Sequence, residues 1–334
     1  MTNIPIAPVL VGRGMAGKAI LRSLDVVAQV DRELPLLPVR IAERGAPLKA
    51  YLEKEALNVL FLANPSGLHA QCILDAVQSG FAAIATDKPV CVRPEEISLL
   101  QHAAGLVTVF HGYRVMWGCR TIKQIIESGE LGEVFAFESR YWQSSGAQAA
   151  LGVDHAKESW KNDIRLNGPH DALTDLGSHA VDICLYLMGA KTTGSRCWLS
   201  YRNSSAAHRD THVHLQLAFS GSRRALFSIS KTAHGATNDF EYSVFGTRGT
   251  VTWRFIRPDE IEHGCGSRTT FIRREVPAAS SETKPFHGLG WLEGYVEITR
   301  QTLRRVSGLD FAEVPVLKES LDVMDVLLNT PIEL

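Results

Sequence analysis

The chain has 334 residues, 45% of them hydrophobic and 21% charged, with a formal net charge of −1. That length exceeds one ordinary hydrophobic core and predicts two domains. The near-neutral balance, without a basic stripe, argues against nucleic acid or a membrane surface as a partner. No apolar run reaches the ~18 residues of a membrane span. The opening residues, MTNIPIAPVLVGRG, lack the basic start of a secretory signal, so the expected location is cytoplasmic. Six cysteines are scattered at 72, 91, 119, 184, 197 and 265 with no C-x-x-C pair. They read as buried, reduced thiols rather than a zinc knuckle or redox dithiol.

The first third alternates short apolar runs with helical patterns. Strands are predicted at Pro8–Val11, Val39–Glu43, Asn58–Ala63, Ala82–Thr86 and Val107–Gly112. Helices are predicted near Met15–Leu24, Pro47–Glu55, Leu68–Ser79 and Pro94–Ala104, the last opened by Pro94-Glu95-Glu96. Such alternation means a buried parallel sheet. After about residue 115 the pattern changes. Arg120–Ser128 and Ala172–Met188 read as helices and Val134–Tyr141 as a strand. Arg196–Tyr201, His212–Phe219, Ala225–Ser230, Phe240–Phe245 and Thr250–Phe255 then follow as strands without crossovers, the mark of antiparallel pairing. Trp291–Ser307 and Glu319–Leu328 close the chain as helices. The expected architecture is α/β: a dinucleotide-binding domain of Rossmann type over residues 1–115, then an α+β domain over 116–334 with an open, mainly antiparallel sheet for substrate binding and oligomerisation.

The segment Gly12-Arg13-Gly14-Met15-Ala16-Gly17 is a complete G-x-G-x-x-G between a strand and a helix. Gly12 permits the tight turn, Gly14 lets backbone approach a pyrophosphate, and Gly17 lets helix and strand pack closely. The helix N-terminus, with Met15 and Ala16, offers N–H groups to phosphate. Glu43 falls where a carboxylate would bind both adenosine ribose hydroxyls, favouring NAD. Arg44 argues for NADP, because a guanidinium can hold a 2′-phosphate.

Further motifs narrow the reading. Asn64-Pro65-Ser66-Gly67-Leu68-His69 closes the third strand and Thr86-Asp87-Lys88-Pro89 the fourth. Asp175-Leu176-Gly177-Ser178-His179-Ala180-Val181-Asp182 lies on a later helix. With the glycine turn, these segments resemble the glucose–fructose oxidoreductase, inositol dehydrogenase and rhizopine-catabolism family (Gfo/Idh/MocA). Members carry Glu-Lys-Pro where this chain has Asp87-Lys88-Pro89, and Gly-Gly-Gly where it has Asn167-Gly168-Pro169-His170-Asp171. The second departure bears on substrate identity more than on chemistry.

The resemblance implies an NAD(P)-dependent oxidoreductase acting on a secondary alcohol or carbonyl of a sugar, cyclitol or related polyol. It puts Asn64, Pro65, His69 and Lys88 beside the cofactor. Lys88, Asp175 and His179 become the catalytic set. Arg114, Trp160 and Lys161 join them as substrate-binding candidates, with His170 and Tyr141 weaker ones. The residues themselves support these roles. An ammonium at Lys88, at the carboxyl end of a parallel strand, can stabilise a developing alkoxide. Asp175 and His179 stand four apart on one helical face, and imidazole titrates where a proton acceptor is needed. His212 and His214 alternate along one strand face but lack a third ligand, so no metal is expected. Two other functions stay open: an NAD-assisted glycosidase with tightly held cofactor, and a non-enzymatic sugar or cofactor sensor. A homodimer or homotetramer is expected, with Val213, Leu215, Leu217, Phe227 and Ile229 supplying an apolar sheet face for isologous packing.

Overall fold

A computed structural model of the chain describes residues 4–103, 106–150, 163–201, 209–275 and 290–333. Two compact units form. One comprises Met1–Val115, Asp163–Gly168 and Trp291–Asp325; the other comprises Met116–Asn162, Pro169–Gly290 and Val326–Leu334.

In the first unit, β1 (Ile6–Val11) leads through the glycine turn into α1 (Met15–Val30). Then follow β2 (Arg40–Ile41), β3 (Leu57–Leu62), α2 (His69–Ser79), β4 (Ala83–Thr86), α3 (Pro94–Gln101) and β5 (Leu106–Val109). The sheet order is β2-β1-β3-β4-β5, every pair parallel. Val59, Leu60, Phe61 and Leu62 have no exposed surface, which explains the unbroken apolar run of β3. Each such side chain contributes roughly 1.5–3 kcal/mol by burial. The sheet order reverses between β1 and β3, the position where open α/β sheets bind ligands.

The helix expected over 47–55 is absent. Only a 3-10 turn, Leu48–Tyr51, occurs there. The Asn58 carboxamide accepts from the Glu53 N–H (2.7 Å) and donates to the carbonyls of Glu53 (2.9 Å) and Ala56 (3.2 Å). Arg40 pairs with Glu53 at 3.2 Å. These bonds hold the backbone in a short loop with no room for a helix. α3 does begin at Pro94, and the Glu96 carboxylate accepts the N–H groups of Val92 and Arg93 at 2.8 and 3.0 Å.

The second unit begins with α4 (Trp117–Glu127), β6 (Val134–Trp142) and α5 (Ser145–Ala150). The short α6 (Ile164–Asn167) belongs to the first unit. The helix expected over 172–188 is two pieces, α7 (Ala172–Asp175) and α8 (Gly177–Met188), joined at Leu176. Seven strands follow: β7 (Thr192–Tyr201), β8 (Asp210–Phe219), β9 (Arg224–Ser230), β10 (Asp239–Gly246), β11 (Thr250–Arg254), β12 (Glu260–Cys265) and β13 (Arg268–Arg273). The chain ends with α9 (Gly290–Val306), α10 (Leu317–Asn329) and β14 (Ile332–Glu333). The nine-stranded sheet has the order β13-β12-β11-β10-β6-β9-β8-β7-β14. It is antiparallel except for the parallel pairs β6–β9 and β7–β14. Its core is aromatic: Phe240 and Tyr242 pack beside Trp253. A Cβ on Gly118 would stand 2.2 Å from Trp253 Nε1, so glycine lets α4 settle on that ring.

The apolar face expected to join subunits has another use. Val213, Leu215, Leu217, Phe227 and Ile229 are each 3% exposed or less. They point to the side of the sheet on which α7 and α8 pack. The opposite side of the same strands carries Trp198, His214, Ser228, Arg140 and Glu241 in register. Cys91, Cys119, Cys184 and Cys197 are buried, Cys72 is half-buried, and Cys265 is exposed, so the expectation of six buried thiols fails at Cys265. That residue ends β12 beside the turn to β13.

The segment 291–325, which sequence order puts with the later domain, completes the core of the first unit. Tyr295 stacks on Phe110 at 4.7 Å, and Thr302 Oγ1 lies 2.8 Å from Thr108 Oγ1. Asp31 anchors α9 by accepting from Arg300 (2.7 Å) and Arg304 (2.9 Å). Burial alone would raise the Asp31 carboxyl, but the hydrogen bonds and charges of the two arginines outweigh it and hold it below the usual carboxylate range. Its stabilising contribution is therefore present above the unfolded carboxylate pKa of about 3.9 and is lost as pH falls through the lower folded value. Asp31→Ala is expected to destabilise the protein by about 2 kcal/mol at neutral pH, because it removes the buried acceptor shared by Arg300 and Arg304 and leaves Arg304 only the exposed Glu33 carboxylate at 2.9 Å. Urea unfolding at neutral pH checks this, and a midpoint equal to wild type would refute it.

Candidate active site

In the first unit the site is built at the carboxyl ends of β1, β3 and β4. Gly12 has φ +100°, and a Cβ there would lie 2.3 Å from the Ala63 carbonyl oxygen. A Cβ on Gly17 would lie 2.3 Å from the Gly12 oxygen, whereas one on Gly14 would meet nothing within 4 Å. Two glycines thus close the turn against β3, and the third leaves open space at the start of α1. The first turn of α1 carries no carboxylate, so Met15, Ala16 and their neighbours present N–H groups and positive dipole to an anion.

His69 joins two of the loops. Its Nδ1 lies 2.8 Å from the Pro89 oxygen and its Nε2 lies 2.8 Å from the Asn64 oxygen. Both ring nitrogens are engaged by backbone, so His69 fixes the loops that hold Asn64, Pro65 and Lys88. The Asn64 amide donates to Cys72 Sγ at 3.3 Å, and its buried Oδ1 has no hydrogen-bond partner among the described residues. An acceptor in that state awaits a donor. Together with the glycine cradle, this fits a dinucleotide at these loops. Asp87 accepts from the Tyr295 hydroxyl at 2.9 Å. Burial raises its carboxyl, partly offset by the charges of Lys88 and His69. Lys88 follows it, half-buried, at the Lys88–Pro89 cis peptide.

Glu43 and Arg44 lie just past β2 with exposed side chains. The Glu43 N–H donates to the Tyr51 hydroxyl at 2.9 Å, so the 3-10 turn sets the course of the chain at Glu43. Arg114 is 5% exposed and pairs with Glu319 at 2.7 Å; its guanidinium ties α10 to the end of the β5 segment. Trp160 and Lys161 lie outside the described residues.

In the second unit, Asp175 ends α7 and His179 lies in the first turn of α8, on opposite sides of Leu176. The His179 ring stands 6.1 Å from that of Tyr141, whose hydroxyl donates to Asn238 at 2.9 Å. Sequence reasoning missed two groups. Lys231, 6% exposed, reaches Asp171 Oδ1 at 2.6 Å and Asp175 Oδ2 at 2.7 Å. Burial lowers its ammonium, but the two carboxylates more than compensate and leave it raised. Asp210, fully buried, accepts the N–H groups of Asp171 (2.8 Å) and Leu173 (2.7 Å), which caps α7. Burial raises the Asp210 carboxyl, yet bonds from His170 and these amides bring it below the ordinary range. Nothing in the local sequence marks either residue, since each reaches α7 from a strand 37 to 60 residues away.

Among the described residues no group of three or more His, Cys, Asp and Glu could hold a metal. His212 and His214 do meet, Nε2 to Nε2, at 3.2 Å. No helix among the described residues is long and apolar enough to cross a membrane.

The family model described as the GFO/IDH/MocA C-terminal domain matches residues 119–252. Levoglucosan dehydrogenase of Pseudarthrobacter phenanthrenivorans is 23% identical over 306 residues, covering 78% of this chain and 76% of the relative. A crystal structure of an inositol dehydrogenase homolog from Azotobacter vinelandii, complexed with NAD+, superposes with a TM-score of 0.80 at 19% identity. It covers 96% of this chain and 93% of the other. A levoglucosan dehydrogenase structure in complex with NADH gives 0.82 at 20% identity, with 98% and 96% covered. Residues 119–252 thus match the Gfo/Idh/MocA C-terminal domain, and the chain has the fold of these dehydrogenase structures.

Proposed function

We propose that the protein is an NAD(P)-dependent dehydrogenase that oxidises a secondary alcohol of a sugar, cyclitol or related polyol, or reduces the corresponding carbonyl. The observation that carries this reading is one chain holding both a glycine cradle with the Lys88 turn and an acid–base pair, Asp175 and His179, braced by a buried lysine. Relatives named for levoglucosan and inositol support the substrate class. The nicotinamide, when bound, accepts or delivers the hydride. The rest falls to side chains. Gly12, Gly14 and Gly17, with the amides of Met15 and Ala16, hold the pyrophosphate. Asn64 and Pro65 line the cofactor, and His69 keeps their loop in place. Lys88 stabilises negative charge on the substrate oxygen. His179 takes the hydroxyl proton during oxidation and returns it during reduction. Asp175 accepts a hydrogen bond from a substrate hydroxyl. An acid–base pair has no purpose in a sensor. An NAD-assisted glycosidase would use the same groups and is separated by net cofactor turnover. Incubation with myo-inositol, levoglucosan, glucose and related polyols, with NAD+ or NADP+, tests the reading: reduced cofactor should accumulate with at least one. No turnover across the panel would overturn it.

Preference for NAD over NADP is part of the proposal. Glu43 binds the ribose hydroxyls, and a 2′-phosphate would bring like charge to it, only partly offset by Arg44 in solvent. Glu43→Ser is expected to weaken NAD+ binding by about tenfold and to relax discrimination against NADP+. Calorimetric titration of both cofactors checks this. Tighter wild-type binding of NADP+ would assign the preference to Arg44 instead.

Assembly as a homodimer or homotetramer is proposed through the face of the large sheet opposite α7 and α8. There Trp198 and Leu226 stay 36% and 42% exposed beside the Arg140–Glu241 ion pair, a mixture suited to isologous packing. A monomer by light scattering at micromolar concentration would refute it.

A further inference from the structure

We propose that Lys231 is a positioning residue for the reaction: it fixes the Asp175 carboxylate as an anionic hydrogen-bond acceptor, so that the proton passes through His179 alone. The inference deepens the dehydrogenase reading and rests on it.

The geometry is specific. Lys231 follows β9, and its backbone is pinned on both sides. Its N–H donates to the Thr211 oxygen at 2.9 Å, and its carbonyl accepts from the Gly146 N–H at 2.8 Å. The ammonium is therefore delivered from a rigid strand end, not from a mobile surface chain. It meets Asp175 Oδ2 at 2.7 Å and Asp171 Oδ1 at 2.6 Å. Lysine is rarely buried unless paired. Here it has two carboxylates at the short distances of charge-assisted bonds. One ammonium facing two carboxylates leaves the trio at net −1. Asp210 and His170 lie beside it, 3.4 Å apart, and Arg209 donates to the His170 carbonyl. The Lys231 ammonium itself stands within charge-assisted bonding distance of Asp175.

Two consequences follow for the chemistry. First, a carboxylate with one oxygen held by a buried ammonium is restrained in rotation, so its approach to a substrate hydroxyl is biased before substrate arrives; displacing such a group by 1 Å can cost ~10²-fold in rate. Second, the adjacent ammonium disfavours a proton on Asp175. The carboxylate then serves only as an acceptor, and His179, four residues on, is the group that exchanges the proton. Asp171 completes the clamp: it takes a second N–H of the same ammonium and so fixes the direction in which the third points.

The test compares Lys231→Met with wild type on the polyol found by the panel. After confirming fold by circular dichroism and saturation with cofactor, kcat is expected to fall ~10–10²-fold with little change in cofactor affinity. The acid limb of the kcat/KM profile should move to higher pH, because Asp175 then faces Asp171 without the cation and takes up a proton more readily. A role confined to stability would lower the melting temperature and leave kcat and the pH profile of the folded enzyme unchanged; that result overturns the proposal. Should Lys231→Met not fold, Asp171→Asn/Lys231→Met removes one charge of each sign and keeps the local net charge at −1. The double variant is expected to show the same kcat loss, and wild-type kcat in it would also overturn the proposal. A wild-type enzyme that turns over no panel member fails the dehydrogenase reading itself and takes the role of Lys231 with it. Wild-type turnover with an unaffected Lys231→Met fails the lysine alone.

Discussion

His179→Ala and Lys88→Ala are each expected to lower turnover by ~10²–10⁴-fold, the range for loss of a general acid–base or a charge-stabilising group, while still binding the dinucleotide. The separation of effects is the informative part. The pyrophosphate turn lies at the end of β1, whereas Lys88 follows β4 and His179 belongs to the other unit. Truncating either side chain therefore leaves the glycine cradle intact. For His179 the loss should be steepest where imidazole is the proton acceptor in oxidation. Steady-state kinetics with a cofactor-binding titration on each variant supplies the check. Near-wild-type turnover in both would remove them from the mechanism. Loss of cofactor affinity in the His179 variant would show that its role had been misplaced.

The glycine turn carries the second large effect. Gly12→Ala should prevent correct folding of the first unit or destabilise it by at least ~3 kcal/mol. Its φ of +100° disfavours any side chain, and the new Cβ would stand 2.3 Å from the Ala63 oxygen and 2.5 Å from its carbonyl carbon, both backbone atoms at the end of β3. Neither strand end can retreat without breaking the β1–β3 ladder. Gly14→Ala makes the opposite prediction. Gly14 has φ −69°, and its Cβ would meet nothing within 4 Å, so the variant should melt as wild type does. Dinucleotide affinity should nonetheless fall ~10-fold or more, because that Cβ would occupy the path by which backbone reaches the pyrophosphate. Thermal melting and cofactor titration of the pair separate the two roles. Equal behaviour of both variants would mean that the turn is only a structural bend.

The legible parts of this protein were those in which chemistry and chain order coincide. The glycine turn, Lys88 and the Asp175/His179 pair are local patterns, and each lies at the end of an element whose periodicity is clear. Lys231 was illegible because Ser228-Ile229-Ser230-Lys231 reads as a strand ending in a solvated charge. Only the pairing of β8 with β9 and the capping of α7 by Asp210 bring it to Asp175. The sheet edge was missed for another reason. β13 is almost wholly exposed and β12 is polar along much of its length, so neither shows the apolar alternation that marks a strand. The expected helix over 47–55 failed because Asn58 and Arg40 make local bonds stronger than a weak helical preference. Segment 291–325 could not be placed from order at all, since its partners Asp31, Asp87 and Thr108 lie 194 to 269 residues earlier.

The proposed reaction is net hydride transfer between a polyol and a nicotinamide. Its most direct measurement follows reduced cofactor and carbohydrate product together, in one reaction, with a substrate deuterated at the reacting carbon. One equivalent of reduced nicotinamide, carrying deuterium, is expected for each equivalent of oxidised polyol, with no cleavage of a glycosidic bond. Glycoside cleavage without accumulation of reduced cofactor, or oxidised polyol whose deuterium appears in water rather than in the nicotinamide, would contradict it.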